Sequence, residues 1–502
     1  MNETTARVRI GDRLHAVVPG TRLSAIWEDH LPCGGHGKCG KCRVIARGAL
    51  SAPSLSERQL LTADELAAGV RLACCTTVEG DCTVERIADA ATDHRIMTSG
   101  AGELSAPAPA FARFGAAIDI GTTTLAAQLY DRSGRRLAEA GRMNPQAAWG
   151  ADVISRIEAS MRGEAAAMAA SVCGAIDEML TAMAADAGIA PADIDALVLT
   201  GNTAMLHLLT ATSTEPLSHA PFAAERLFGE TLSAGTIGLR AVLPEAGVYL
   251  PNCISAFVGA DTVCALLAAD LSASADTAML VDIGTNGEMG LWHDGRLSVC
   301  STAAGPAFEG VGISMGMNGA AGAVDHVTLC NGRLTAHVIG ETAPRGICGS
   351  GLIDAVACLL DNETLDETGL LEDDPTPVAP PVVLTQADIR MTQLAKSAIC
   401  AGIRTLLHAA DISTDAVSRL WLAGGFGSYL NLRSAGRIGL LPAELTDRIT
   451  VTGNAALAGA AMLLLDCSRR TRAAALAAEA EVVDLAANPV FANAYMEGML
   501  FD

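Results

Sequence analysis

Lysine is almost missing from this chain. Of 502 residues only Lys38, Lys41 and Lys396 carry an ammonium group, and the first two lie in one short loop. No Walker-type phosphate loop, G-x-x-x-x-G-K-[ST], occurs, and the lysine shortage excludes one beyond that loop. Aromatic residues make up only 3% of the chain, so aliphatic side chains and alanine must close its cores. Positive charge is short throughout: 34 Lys and Arg against 56 Asp and Glu leave a formal net charge of -22. Such a field repels phosphate backbones and excludes nucleic acid as a general partner. No uninterrupted apolar run approaches the roughly 18–20 residues that cross a bilayer. The opening "MNETTARVRI" has no basic tip followed by an apolar stretch, so it does not read as a secretory signal. These absences predict a soluble, cytoplasmic protein with no membrane partner.

What the chain does have is cysteine, fifteen in all. In a reducing compartment they are not a disulfide framework. Most, such as Cys173, Cys264 and Cys358, fall in apolar helical patterns and read as small core residues. The exception is "LPCGGHGKCGKCRV", Leu31 to Val44. There Cys33, Cys39 and Cys42 are separated by five and two residues, with Cys74 or Cys75 some thirty residues later. Four thiolates from one loop and a distant strand enclose a [2Fe–2S] rhomb, and the glycines let backbone N–H groups approach the sulfides. A Cys-x2-Cys knuckle also binds zinc, but zinc does not need a glycine-filled five-residue gap. The ending "RLAC" is similar to the fourth-ligand strand of ferredoxin-like domains. In a strand Cys75 would face away from Cys74, so the expected ligands are Cys33, Cys39, Cys42 and Cys74. His36 invites a Rieske-type reading, but enough cysteines are present and it reads as a loop residue. Cys82 reads as core.

The surroundings of this loop predict a β-grasp domain over residues 1–90. Two strands flank Gly11-Asp12, and a helix follows with Thr21 as N-cap and Leu23, Ile26 and Trp27 on one face. Then come the strand "CRVIARG", the helical patch "SLSERQLLTADEL", "RLACC", and the closing strand "CTVERI". From about Ala88 the pattern decays into small residues, Gly and Pro, which predicts a flexible linker over 91–113.

The remainder, 114–502, contains an internal echo. "AAIDIGTTTLAAQLYD" begins at Ala116 and "MLVDIGTNGEMGLWHD" at Met279; aligned on Asp119 and Asp282 they lie 163 positions apart. Each reads as strand, tight Gly-Thr turn, strand, which predicts duplicated halves of about 114–275 and 276–502. Such hairpins present amide and hydroxyl donors to an anion. Gly121, Thr122, Thr123, Gly284, Thr285 and Asn286 are the candidate phosphate cradle. Asp119 and Asp282 end their strands as candidate ligands for Mg²⁺, mostly through water, and either is placed to orient an attacking water. Glu288 is a candidate base or a surface carboxylate, and Glu309 in "AAGPAFEG" a cleft or structural residue. "WLAGGFGSYLN" offers Gly424, Gly425 and Gly427 as a flat border for adenosine. "RGICGSGLIDAVACLL" opens a helix whose N-terminus suits phosphate. "VLTGNTAMLHLL" and "VTGNAALAGAAMLLL" repeat strand, Gly-Asn, helix, which strengthens the duplication reading.

The doubled Asp-Ile-Gly-Thr and the Gly-Gly-x-Gly turn resemble the actin, sugar-kinase and acetate-kinase superfamily of two-lobed α/β ATPases. With the N-terminal unit, the whole chain resembles the ATP-dependent reductive activators of corrinoid proteins. The matching blocks run in order: "CGGHGKCGKCRV", "RLAC", "AIDIGTTT", "NPQAAWGADVISRI", "GNTAMLHLL", "VDIGTNGE", "AAGPAFEG", "GICGSGLIDAV", "AKSAICAGI", "LAGGFGSYLN" and "GNAALAGA". Some members carry an extra domain after the linker; here the linker runs almost straight into Ala116. The resemblance implies an α/β fold, a β-grasp [2Fe–2S] ferredoxin domain joined to a duplicated actin-like (ribonuclease H-like) ATPase. It also implies ATP and Mg²⁺ as cofactors, an upstream electron donor, a corrinoid methyltransferase protein as partner, and a homodimer formed through the large unit. The implied activity is one-electron reduction of inactive Co(II) to Co(I), driven by ATP. Three other readings fit parts of the sequence: a small-molecule kinase with a fused redox domain, an activator of the 2-hydroxyacyl-CoA dehydratase type, and an electron carrier on a non-catalytic scaffold.

Overall fold

The computed structural model describes residues 5–11, 13–26, 37, 40, 42–86, 106–425 and 427–501. The chain divides into two compact units, one holding residues 1–93 and 145–156, the other 94–144 and 157–502.

In the first unit, β1 (Ala6–Ile10) and β2 (Arg13–Val17) form an antiparallel hairpin that turns at Gly11. β3 (Arg43–Leu50), β4 (Val70–Leu72) and β5 (Val78–Arg86) complete a five-stranded sheet of order β2-β1-β5-β3-β4, with β1 and β5 parallel. Alternation along these strands sends Val8, Val44, Leu72, Val78 and Val84 into one core, with Cys42, Cys74 and Cys82 among them. Cys82 is thus a core residue. The helix after Thr21 is only a 3-10 turn, Leu23–Ala25, and the Thr21 hydroxyl bonds back to Val18 O instead of capping it. Trp27, His36, Lys38 and Lys41 lie outside the described residues. "SLSERQLLTADEL" splits into two short helices, Leu55–Leu60 and Ala63–Ala68, each opened by a capping box, Ser54 with Glu57 and Thr62 with Glu65.

The second unit holds two six-stranded sheets that share a five-strand order and carry the sixth strand on opposite edges. In the first, β6 (Phe114–Ile120), β7 (Thr124–Asp131) and β8 (Arg136–Met143) run antiparallel in sequence. β9 (Ile194–Gly201) lies parallel to β6, and β10 (Glu230–Ser233) and β11 (Gly247–Leu250) extend the sheet to the order β10-β11-β9-β6-β7-β8. In the second, β12 (Ala278–Ile283), β13 (Gly287–His293) and β14 (Arg296–Thr302) repeat the antiparallel run. A side sheet of β15 (Ala323–Cys330), β16 (Arg333–Val338) and β17 (Gly346–Ile347) and a hairpin of β18 (Thr376–Ala379) and β19 (Val382–Leu384) follow. β20 (Arg419–Ala423) then adds parallel to β12, β21 (Ile449–Gly453) parallel to β20, and β22 (Glu481–Val482) against β14.

Each sheet is covered by helices whose buried positions are aliphatic or alanine, as a chain poor in aromatics requires. The helix Ala165–Ala187 buries Met168, Val172, Ile176, Leu180 and Met183, and Ala455–Leu465 is buried along nearly its whole length. The helical run Val153–Ala187 is long and apolar enough to cross a membrane by length and composition, but half of its apolar window is buried inside the protein. Cys173, Cys264 and Cys358 are buried core thiols.

The predicted linker ends earlier than residue 113. Ala110 N–H donates to Leu464 O, Ala108 bridges Asp466, and the Ala112 and Arg113 amides donate to the Asp195 carboxylate. Phe111 is 4% exposed and its ring lies where a side chain on Gly115 would sit, 2.4 Å from the ideal Cβ position. One aromatic filling a notch left by a glycine fixes this stretch as part of the packed unit, against the expectation of a tether.

Candidate nucleotide cleft and thiolate site

Both Asp-Ile-Gly-Thr turns open onto one cleft of about 320 Å³ within the second unit. β6 ends by delivering Asp119 and β12 by delivering Asp282, while the register that pairs Asp282 with Glu288 puts the latter on the same floor. Glu288 is therefore a cleft residue and not a surface carboxylate. Asp261, at the start of the helix Ala260–Ala268, joins them. Sequence reading passed over Asp261; "VGADTVCALL" carries no turn signature that would flag it. Burial pushes the carboxyls upward and mutual repulsion adds to it: Asp119 rises to about 6, Asp282 to about 7 with the Asp119 charge contributing, and Asp261 to about 7. Glu288 is raised well above the usual range by burial and by Asp261 and Asp282. The partial offset at Asp119 comes from Asn454, whose Nδ2 donates to its Oδ2 at 3.0 Å. Carboxyls crowded against one another with few donors leave charge that a cation offsets, but among the described residues no three acids stand close enough to hold one ion directly, so they fit Mg²⁺ only through its bound waters.

The two Gly-Asn corners serve the hairpins. Asn202 caps the helix Thr203–Leu209 with its side-chain oxygen and donates Nδ2 to the Thr122 hydroxyl at 3.1 Å. Asn454 caps Ala455–Leu465 in the same way while its amide holds Asp119. One carboxamide does both tasks because it carries an acceptor and a donor. The repeated "GN" was visible in the sequence as a sign of duplication, but not as a pair of site residues.

The hairpins themselves divide their work differently from expectation. Gly121 N–H donates to Thr124 O at 2.9 Å and Gly284 N–H to Asn286 O at 3.0 Å, so both amides close the turns and are not offered to phosphate. The hydroxyls of Thr122, Thr123 and Thr285 and the Asn286 side chain are what line the cleft as donors. Glu309 bridges the halves: its Oε2 accepts from Thr123 Oγ1 at 2.5 Å and its Oε1 from Thr285 Oγ1 at 2.6 Å. Gly424 and Gly425 line the cleft. A side chain on Gly424, at φ 96, would strike Ile283 O at 2.5 Å and Asp282 Oδ1 at 2.7 Å, so this glycine lets β20 close against Asp282. Gly427 is not among the lining residues and packs on Leu422 instead. Cys348, Gly349 and Ser350, at the N-terminus of the helix Gly349–Asp361, form part of the wall.

In the first unit, Cys42 Sγ and Cys74 Sγ lie 3.2 Å apart, and the Cys74 amide donates to Cys42 Sγ at 3.5 Å. That exceeds a disulfide bond of about 2.05 Å, so the two are unbridged thiols, with Cys42 Sγ donating to Cys74 Sγ. Cys33 and Cys39 lie outside the described residues. The strand argument against Cys75 fails. β4 ends at Leu72, Cys74 and Cys75 sit in the following turn, and their sulfurs are 3.6 Å apart on one side. Cys75 Sγ also approaches the position a side chain on Gly37 would take, at 2.8 Å. The turn is held by Glu57, which is fully buried. It accepts from Arg71 at 2.8 and 3.1 Å, from Leu72 N–H at 3.1 Å and from the Thr76 hydroxyl at 3.0 Å. Burial pushes Glu57 upward, but Arg71 and these donors hold it down at about 2.

Comparison with known proteins agrees with this geometry. Residues 276–502 match the model described as the C-terminal domain of RACo, the ASKHA domain, and residues 114–274 match the RACo middle region. The corrinoid activation enzyme RamQ of Eubacterium limosum is 33% identical over 419 residues, 77% of this chain and 70% of that protein. The chain belongs to the RACo family. The [Co(II) methylated amine-specific corrinoid protein] reductase of Methanosarcina barkeri is 26% identical over 416 residues, 76% of each protein. Among solved structures, a reductive activator for corrinoid, iron-sulfur protein superposes with a TM-score of 0.70. It has 27% identity and covers 99% of this chain and 98% of that one. The RACo model names reserve ASKHA for the C-terminal part. In this RACo-family chain the middle region repeats the order of five strands of the C-terminal sheet.

Proposed function

We propose that this protein reactivates a corrinoid protein by reduction, using ATP to return inactive Co(II) to Co(I) one electron at a time. Family membership supports the reaction and its cobalt substrate. The observation that carries the full reading is that a sulfur pair and an acid-floored, twin-hairpin cleft occur in one chain.

The cleft binds Mg²⁺–ATP. Asp119 and Asp282 hold the ion, mostly through water, and either orients the attacking water; Thr122, Thr123, Thr285 and Asn286 donate to the phosphates. Gly424 and Gly425 border the adenosine. Asn454 keeps Asp119 oriented, and Asp261 and Glu288, when ionised, add negative charge that a cation or a proton relieves.

The sheet order β2-β1-β5-β3-β4 and the Cys42–Cys74 pair support a β-grasp, ferredoxin-like front domain over residues 1–90. Cys42 and Cys74, with Cys33 and Cys39, are its proposed ligands for a [2Fe–2S] cluster. When bound, such a cluster supplies a one-electron reductant near about −400 mV. Each roughly 59 mV by which the acceptor lies lower costs a factor of ten in equilibrium. The protein offsets that deficit by binding the reduced corrinoid partner more tightly than the oxidised one, and ATP turnover releases it. Such coupling requires different partner affinities in different nucleotide states. An upstream donor resupplies the electron, the working form is a homodimer, and the site of action is the cytoplasm.

The test is anaerobic. Reduced protein is mixed with a Co(II) corrinoid protein of a methyltransferase system, and Co(I) absorbance is followed with and without ATP. Co(I) should form only with ATP; formation at equal rate and yield without it overturns the reading.

A further inference from the structure

Thr123 and Thr285 stand on the two facing hairpins, one residue out of the 163-position register, with hydroxyls 3.5 Å apart. Each hydroxyl has one proton to give. Both protons go to the same carboxylate: Glu309 Oε2 receives one at 2.5 Å and Oε1 the other at 2.6 Å. A phosphate group gripped from both sides by these hairpins needs the same two protons, and it carries the same sign of charge as Glu309.

Glu309 sits at the end of a single 3-10 turn, Pro306–Glu309. Glycines with left-handed backbone flank it, Gly305 at φ 80 and Gly310 at φ 76. Gly305 N–H is tied to Thr285 O at 2.9 Å, so the turn is anchored at its start to the hairpin it serves. A turn bounded by glycines can rotate as a piece about its two ends.

We propose that Glu309 is a built-in competitor of the nucleotide's phosphates. Its carboxylate holds the two halves of the cleft together through Thr123 and Thr285. Mg²⁺–ATP takes over these hydroxyls only by displacing it, with the turn moving about Gly305 and Gly310. Glu309 thereby sets nucleotide affinity and makes it depend on phosphate charge. This rests on the reading of the cleft as an ATP site. The closing exchange swaps one anion for another on the same donors, so binding energy that would have tightened the complex moves the turn instead.

The experiment is calorimetric titration of the full chain with Mg²⁺–ATP and, separately, with adenosine, comparing wild type with Glu309→Gln. The amide keeps size and one acceptor but removes the charge. The expected result is about tenfold tighter Mg²⁺–ATP binding with adenosine binding unchanged. A loss of packing would shift both ligands together, so the split between them separates competition from structure. If Glu309→Gln does not fold, Glu309→Asp decides. Its shorter side chain cannot reach both hydroxyls, and it should tighten Mg²⁺–ATP in the same direction. Wild-type binding with no gain in either variant overturns this inference alone. Failure of wild type to bind Mg²⁺–ATP overturns the nucleotide reading, and this inference with it.

Discussion

The acid floor of the cleft makes a quantitative prediction about stability. Asp282 is raised from 3.8 to about 7, first by burial and then by the Asp119 charge. A group whose folded value exceeds its unfolded value binds its proton longer in the folded state. Stability is then fully present below about 4 and falls as pH rises toward 7, because the unfolded chain releases the proton first. Fully counted, that rise corresponds to about 4 kcal/mol of destabilisation at pH 8. The cleft is open to water, which screens part of it, so about 2 kcal/mol is the working figure. Asp282→Asn removes the charge and keeps the shape. In a chelator-containing buffer at pH 8 it should raise the melting midpoint of the large unit by about 3 °C, with the difference vanishing near pH 4. Added Mg²⁺ should reverse the ranking, since the ion neutralises the wild-type floor and the variant has lost a ligand. A midpoint difference independent of pH would refute the electrostatic reasoning. So would Mg²⁺ stabilising the variant as much as wild type.

Other expectations follow from single contacts. Asn454→Ala removes a helix cap and the donor to Asp119; it should cost about 1–2 kcal/mol in thermal stability and depress ATP turnover more than Asn202→Ala, which loses a cap and a threonine contact. Cys42→Ser and Cys74→Ser should each lower iron content and visible absorbance of anaerobically prepared protein, while Cys75→Ser should retain both; equal loss in Cys75→Ser would move the fourth ligand. Arg71→Met strands the fully buried Glu57 and should destabilise the first unit by about 3–5 kcal/mol. In wild type the Glu57 contribution is present above about 4.5 and lost as pH falls toward 2, so its removal should flatten the acid limb of the unfolding curve.

How much of this was legible in the sequence depended on how local the signal was. The strand–turn–strand echo at Asp119 and Asp282 is local, and period-two alternation plus a Gly-Thr turn revealed it along with the duplicated fold. Glu288 lies six residues past Asp282, but its cleft position follows from cross-strand register, which a sequence states only once the hairpin length is known. Asp261 reaches the site from a distant segment, and nothing in its neighbours distinguishes it from other acids; Asn454 was legible only as part of a repeated Gly-Asn corner, and Glu309 only as a cleft or structural residue. Cys75 shows the opposite failure. A sound rule about alternation was applied one residue beyond the strand it governs, because Glu57 pulls Leu72 to Thr76 into a turn. The linker was misjudged because small residues and prolines look alike in a tether and in a strap pressed onto a surface; only Phe111, with its notch at Gly115, separates the two.

The scarcity of lysine returns at the cleft. Among the described residues that line it there is no Lys, Arg or His. Of the three lysines, Lys396 is buried elsewhere, donating to Gly498 O and Leu500 O and stacking on Phe501, and the other two lie outside the described residues. A Walker site meets phosphate charge with a lysine as well as a metal; this cleft meets it with hydroxyls, an amide and whatever cation its acids hold. Four raised carboxyls oppose a polyphosphate until that cation arrives. If the cleft is the proposed Mg²⁺–ATP site, the divalent ion is a condition for nucleotide binding and not only for turnover. Titration with ATP in excess chelator at pH 8 should show affinity reduced by at least about a hundredfold relative to Mg²⁺–ATP. That ratio should shrink as pH falls through about 7 and the floor takes up protons. Adenosine, which carries no phosphate, should bind with no such dependence. If metal-free ATP bound within a few-fold of Mg²⁺–ATP at pH 8, the acids would not be facing the phosphates, and the assignment of Asp119 and Asp282 to the metal would have to be abandoned.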